Sequence, residues 1–197
     1  MAQHDHDPVL VTGCSTGIGR AVVEDLLLQG HTVWATARRP DALADLADRG
    51  AHVTALDVTD EASMSAAVAE VEAAHGSVGT LVNNAGFGEY GAVEEVDMDK
   101  VRAMFETNVF GLARMCQLVL PGMRRAGTGR IINIGSMGGR FTFPLGGYYH
   151  DEVRGGGLDR RAADGGLGVR RRGHPGRAGH HAKLVRREDH RVRRDGR

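Results

Sequence analysis

Near its start the chain runs Val9-Leu10-Val11-Thr12, then Gly13-Cys14-Ser15-Thr16-Gly17-Ile18-Gly19, then a stretch in which Ile18, Ala21, Val22 and Leu26 recur at helical spacing up to Gly30. A β-rich run, a tight glycine turn and an amphipathic helix, in that order, restrict the fold more than any other feature of the sequence. Glycine reaches the backbone angles of such a turn without a steric penalty and lets the main chain approach a ligand closely. A helix that opens from the turn offers unpaired N–H groups and a partial positive charge, which suit a phosphate. A glycine turn in isolation often binds nothing. Between a strand and a helix the same spacing is a much stronger sign.

The alternation continues along the chain. His31–Thr36 reads as a second strand, and Asp41–Asp48 as a short helix after Pro40. Val53–Leu56 is a third strand and the Ala-rich Glu61–Ala74 a helix. Gly79–Val82 is a fourth strand that ends in Asn83-Asn84. Asp97–Arg125 reads as one long helix with a break before Pro121-Gly122, and Arg130–Ile134 as a fifth strand. Apolar strands alternating with helices predict an α/β fold, a doubly wound parallel sheet of Rossmann-like type covered on both faces. Ligands of such sheets bind beyond the carboxyl ends of the strands. The polar and glycine clusters fall at those ends: Gly13–Gly19, Asp57, Asn83–Gly86 and Ser136.

Composition divides the chain. Overall it has 197 residues, 25 basic and 25 acidic side chains and 41% apolar residues, enough for a core and too balanced for a dedicated nucleic-acid binder. Residues 1–150 hold 11 Lys and Arg against 18 Asp and Glu, net −7, whereas 151–197 hold 14 against 7, net +7. All nine aromatic residues lie at or before Tyr149, and the last 47 residues contain ten Gly and 11 apolar residues without a clear period. So few large apolar groups cannot offset the entropy of ordering. The sequence therefore predicts a nucleotide-binding domain over 1–150 and a disordered, basic, Arg/Gly-rich tail over 151–197. No apolar run approaches the 18 residues of a membrane-spanning helix. The start, Met1-Ala2-Gln3-His4-Asp5-His6-Asp7, lacks the basic and apolar regions of a secretory signal. Two Cys, Cys14 and Cys116, make no disulfide framework and fit a cytoplasmic protein, with small-residue packing as their default role. Met98, Met104 and Met115 read as core or surface residues, and the His residues of both termini as solvated.

The spacing Gly13-x-x-x-Gly17-x-Gly19, the run Asn83-Asn84-Ala85-Gly86, and Ser136 with Tyr149 13 residues later together resemble the short-chain dehydrogenase/reductase family, over roughly residues 7–150. The resemblance implies hydride transfer between a nicotinamide cofactor and an aldehyde, ketone or secondary alcohol. It implies that Gly13, Ser15, Thr16, Gly17, Ile18 and Gly19 border the cofactor phosphates. It puts Asp57 and Val58 at the adenine, and Asn83, Ala85 and Gly86 beside the adenosine ribose. Tyr149 becomes the proton-transfer residue, Ser136 a hydrogen-bond partner of the substrate oxygen, and Asn108 the organiser of a water relay. The competing reading of Asn108 is a satisfied polar residue inside a helix. Tyr148, 12 residues past Ser136, is the competing tyrosine.

Cofactor preference is legible after the second strand. A carboxylate there would bind the ribose 2′-OH of NAD, while Arg accommodates the 2′-phosphate of NADP. Thr36-Ala37-Arg38-Arg39 has no carboxylate, which predicts NADP(H), NAD being the alternative, with Arg38 the contact.

The family's lysine, four residues past its tyrosine, is replaced by Val153, and no Lys occurs between Lys100 and Lys183. The resemblance assigns that lysine to holding the nicotinamide ribose and lowering the tyrosine pKa by its charge. Gly155-Gly156-Gly157 further disfavours a helix there, at roughly 1 kcal/mol per Gly relative to Ala. A shift of reading frame accounts for both features. Asp151-Glu152-Val153 is encoded GAY-GAR-GTN, and reading from the second base turns the middle triplet into ARG, Lys or Arg. The tail is thus read as family sequence in the wrong frame, lacking the sixth strand and flanking helices of the 3-2-1-4-5-6 order. The coding DNA decides it. Activity is expected to be impaired, and the alternatives are a non-catalytic nucleotide-binding remnant or a poorly folded truncated product. The expected partner is a small carbonyl or alcohol substrate. Nucleic acid and membrane are not expected, and homo-oligomerisation is doubtful if the second of the family's two pairing helices is lost. Phe141, Phe143 and Pro144 suggest an apolar wall near the site.

Overall fold

The computed structural model describes residues 7–92 and 94–136. Its elements are β1 (Val9–Val11), α1 (Gly17–Leu28), β2 (Val33–Ala37), a 3-10 turn (Pro40–Leu43) leading into α2 (Ala44–Asp48), β3 (His52–Ala55), α3 (Glu61–His75), β4 (Thr80–Asn83), α4 (Met98–Phe105), a π-helical turn (Glu106–Gly111), α5 (Leu112–Ala126) and β5 (Arg130–Asn133). All strand pairs are parallel, in the order β3-β2-β1-β4-β5. This is the doubly wound, Rossmann-like α/β sheet that the alternation predicts.

Period-two alternation builds the two layers. Leu10, Trp34 and Leu81 point to one face and are buried against Met64, Val68 and Val71 of α3 and Met115, Val119 and Met123 of α5. Val9, Val11, Val33, Ala35 and Val82 point to the other, against Val23 of α1 with Leu43 and Leu46. A side chain such as Leu10, fully buried, contributes roughly 1.5–3 kcal/mol relative to exposure. The Trp34↔His52 pair fixes the register of the edge strand β3, its rings stacked with centroids 4.6 Å apart.

Three local expectations change in the structure. The buried line of α1 is Gly19 and Val23, with Val22, Leu26 and Leu27 partly buried beside it, while Ile18 is 53% exposed. A Cβ on Gly19 would overlap Asn84, so the Gly19 side of the helix faces the fold and Ile18 faces outward. The first half of Asp41–Asp48 is a 3-10 turn that opens with Pro40, whose missing N–H is harmless at a helix start. The long helix has no break at Pro121, which lies inside α5. Met115, Val119 and Met123 are spaced four apart and buried on α3, and this packing carries the helix through the proline. The irregularity sits earlier, in the π-helical turn. Met104 and Met115 are core residues, and Met98 is half-exposed.

No helix among the described residues is long and apolar enough to cross a membrane. Tyr148, Tyr149, the apolar Phe141, Phe143 and Pro144, and the whole of 151–197 lie outside the described residues.

Candidate functional site

Parallel strands bring every segment that follows a strand to one edge of the sheet. The glycine turn follows β1, Arg38 follows β2, Asp57 and Val58 follow β3, Asn84–Phe87 follow β4, and Ser136 follows β5.

The centre of this edge is a lock between the ends of β1 and β4. Thr12 is buried, and its Oγ1 accepts hydrogen bonds from the backbone N–H of Asn84 and of Ala85, both at 3.0 Å. Asn84 Nδ2 donates in return to the carbonyls of Thr12 (2.9 Å) and Gly13 (3.0 Å). These bonds span more than 70 residues of sequence. Gly13 has φ +71°, and a Cβ there would stand 2.8 Å from Ala85 Cα. A Cβ on Gly19 would overlap Asn84 Nδ2 and lie 2.6 Å from the Gly13 carbonyl oxygen. No side chain larger than hydrogen fits either position without moving the lock. Thr12 and Asn84 were not singled out as site residues in the sequence. Their signal was a Thr just before a glycine turn, paired with an Asn-Asn at the end of the adjoining strand.

Above the lock, the first turn of α1 is open. Ser15, Thr16, Gly17 and Ile18 are exposed, Thr16 makes no side-chain capping bond, and the first turn has no acidic residue. The N-termini of α3 and α4 differ: Asp60 accepts from Ala62 N (2.9 Å) and Asp97 from Asp99 N (2.8 Å). Anionic side chains thus occupy those helix starts, whereas the start of α1 keeps its positive end for something else. Cys14 points inward. Its Sγ donates to the Val11 carbonyl (3.1 Å), and burial pushes its pKa up to about 12. The thiol is protonated at neutral pH and is a packing group, not a nucleophile.

The flanking strands are tied to the turn. Cys14 N donates to the Thr36 carbonyl at 2.8 Å, so the end of β2, followed by the exposed Arg38 and Arg39, abuts the glycines. Asp57 Oδ1 accepts from Thr59 N (2.9 Å) and Thr59 Oγ1 (2.7 Å), which fixes the carboxylate in the turn that leads to α3. Val58 beside it is buried.

Asn83 and Asn84 have separate tasks. Asn83 is buried, and its Nδ2 donates to Asn133 Oδ1 (2.9 Å) and Cys116 Sγ (3.4 Å). Its side chain is engaged between β4 and β5. Asn108, in the π-helical turn, pairs twice with the backbone of one residue: Nδ2 donates to the Phe87 carbonyl (2.7 Å) and Oδ1 accepts from Phe87 N (3.1 Å). Both polar groups of the Asn108 side chain are engaged, and the bonds tie the π-helical turn to the loop after β4. π-Turns inside helices occur frequently at functional sites.

This arrangement fits a dinucleotide. The open helix start suits a pyrophosphate, the glycines leave room for close approach, and the residues after β2 and β3 flank it on one side. A model of the short chain dehydrogenase family matches residues 7–150. The chain belongs to the short-chain dehydrogenase family. Among its relatives is 3-ketodihydrosphingosine reductase of Bacteroides thetaiotaomicron, 38% identical over 141 residues, a match covering 72% of this chain and 51% of that protein. The crystal structure of a short-chain dehydrogenase from Streptomyces avermitilis superposes with a TM-score of 0.72 at 41% identity, over 76% of this chain and 56% of the other. A closed form of serine dehydrogenase complexed with NADP+ superposes with a TM-score of 0.71 at 34% identity, over 75% and 61%. This short-chain dehydrogenase therefore spans about half the length of that curated relative.

Proposed function

We propose that this short-chain dehydrogenase binds NADP(H) and acts on a small aldehyde, ketone or secondary alcohol. The observation that carries the reading is the uncapped start of α1 above the Thr12–Asn84 lock. When bound, the cofactor supplies or accepts a hydride at its nicotinamide ring. The chain's residues do the rest. N–H groups of Ser15, Thr16, Gly17, Ile18 and Gly19 bind the pyrophosphate together with the positive end of α1. Asp57, held by Thr59 through Oδ1, accepts from the adenine amino group with Oδ2, and Val58 packs beside the ring. The main chain of Asn83, Ala85 and Gly86 lines the adenosine ribose, since the Asn83 side chain is engaged with Asn133. Ser136 hydrogen-bonds the substrate oxygen, and Tyr149 exchanges a proton with it. Asn108 positions the loop after β4 through Phe87.

NADP is favoured over NAD because β2 ends next to the glycine turn and is followed by Arg38 and Arg39 with no carboxylate. A related structure described as holding NADP+ supports this choice. NADPH is expected to bind this chain more tightly than NADH at fixed salt. Arg38→Ala is expected to weaken NADPH about tenfold to a hundredfold, the range of charge-assisted hydrogen bonds, and to leave NADH unchanged. Titrations followed by nicotinamide fluorescence check this, and tighter binding of NADH refutes the NADP assignment.

Turnover is expected to be impaired. A tyrosine with an ordinary pKa near 10 needs a neighbouring cation to donate or accept protons efficiently at neutral pH, and Val153 stands where the family has its lysine. General acid–base catalysis is typically worth ~10²–10⁴-fold, so much of that factor is lost. Val153 also favours a second reading, a nucleotide-binding module without turnover. NADPH binding with no reduction across a broad carbonyl panel would select it. Both readings take 1–150 as the nucleotide-binding domain and a cytoplasmic setting.

A further inference from the structure

Beyond the residues already assigned, the π-helical turn makes a contact that reaches the adenine side of the site. Gly111, its last residue, is buried directly against Val58. A Cβ on Gly111 would overlap the Val58 carbonyl oxygen, lie 3.0 Å from Val58 Cβ and 3.1 Å from the Glu106 carbonyl oxygen. Two of these three neighbours belong to Val58, and the carbonyl cannot rotate away as a side-chain end could. Gly111 stands three positions after Asn108 in the same π-helical turn. One end of this turn therefore presses on the segment after β3, while the other holds Phe87 after β4. The absent side chain permits the main chain to come this close to Val58.

We propose that Gly111 is a positioning residue for the adenosine half of the cofactor: it sets how deeply Val58 and Asp57 sit, and so the depth of the adenine slot. The inference rests on the NADP(H) reading above, because Val58 borders adenine only if that reading holds. Gly111 touches no ligand itself and acts through Val58. Filling the contact pushes the 57–60 turn toward the slot, which shrinks it on the adenosine side and leaves the nicotinamide side as it was.

The test uses the full chain with two probes, 2′,5′-ADP for the adenosine half and NADPH for the whole. Gly111→Ala is expected to weaken 2′,5′-ADP about tenfold, the lower end of what overpacking a tight contact produces. Val119→Ala, a core truncation eight positions further along the helix, is expected to lower the unfolding midpoint and leave 2′,5′-ADP affinity intact. Equal affinity of Gly111→Ala and the unsubstituted chain, or equal losses in both variants, overturns the proposal. A second measurement holds even if Gly111→Ala does not fold. In the unsubstituted chain, 2′,5′-ADP is expected to slow amide exchange in Glu106–Gly111 together with Asp57–Asp60. Protection of Asp57–Asp60 alone overturns the proposal and leaves the NADP(H) reading standing. Failure of the unsubstituted chain to bind NADPH or 2′,5′-ADP at all overturns both.

Discussion

Gly19→Ala is expected to raise the Kd for NADPH about a hundredfold and to lower the midpoint of thermal unfolding. The added methyl group has nowhere to go. It would overlap the Asn84 amide and the Gly13 carbonyl, the two groups that close the glycine turn onto β4. Overpacking of this kind typically costs 1–3 kcal/mol, and here the strain falls on the turn itself. Relief requires α1 to move away from β4 and carries its first-turn N–H groups out of line with the pyrophosphate. The upper part of that strain, taken from binding, corresponds to about a hundredfold in Kd. Fluorescence titration with NADPH and a thermal melt of the same sample measure both effects. Unchanged NADPH affinity would show that the open start of α1 is not where the cofactor binds.

The second large effect is expected from Thr12→Val, a swap of nearly equal shape. Thr12 Oγ1 is the acceptor for two backbone N–H groups, of Asn84 and Ala85, at a position only 1% exposed. Valine fills the space and accepts neither bond. A buried donor left without a partner costs about 1–3 kcal/mol; Asn84 and Ala85 are only part-buried, which trims the sum, so a loss of about 2–4 kcal/mol is expected for the two together. For a domain of this size that lowers the unfolding midpoint by roughly 5–15 °C. Thr12→Ser keeps the acceptor and is expected to retain most of the stability. A melt of Thr12→Val that coincides with the unsubstituted chain would mean that the hydroxyl does not hold the two strand ends together.

Both predictions concern residues whose importance the sequence only half disclosed. The glycine turn was legible because its spacing, its preceding β-rich run and its following helix are all local. The sequence therefore marks Gly13 and Gly19 as site residues, for closeness to phosphates. The structure adds closeness to Asn84 and Ala85. The sequence shows Thr12 only as the end of a strand and Asn84 only as part of a motif, because their partnership crosses 72 residues. No periodicity reports such a distance. The resemblance puts Asn83 beside the ribose, and the structure adds that its side-chain amide donates to Asn133, its register partner in β5.

The sequence by itself determined the order of strands and helices, the parallel sheet, the edge at which the glycine turn and the polar clusters gather, and the identity of the family. These follow from period-two and helical patterns, glycine spacing and the burial of apolar strands, all written in neighbouring residues. Only the tertiary structure decided which face of α1 is buried, that α5 runs through Pro121, that the irregular turn lies at Glu106–Gly111, and that Gly111 rests on Val58. Those outcomes depend on where distant backbone segments meet. A contact that requires a missing Cβ, or an acceptor supplied from another strand, leaves no regular trace along the chain.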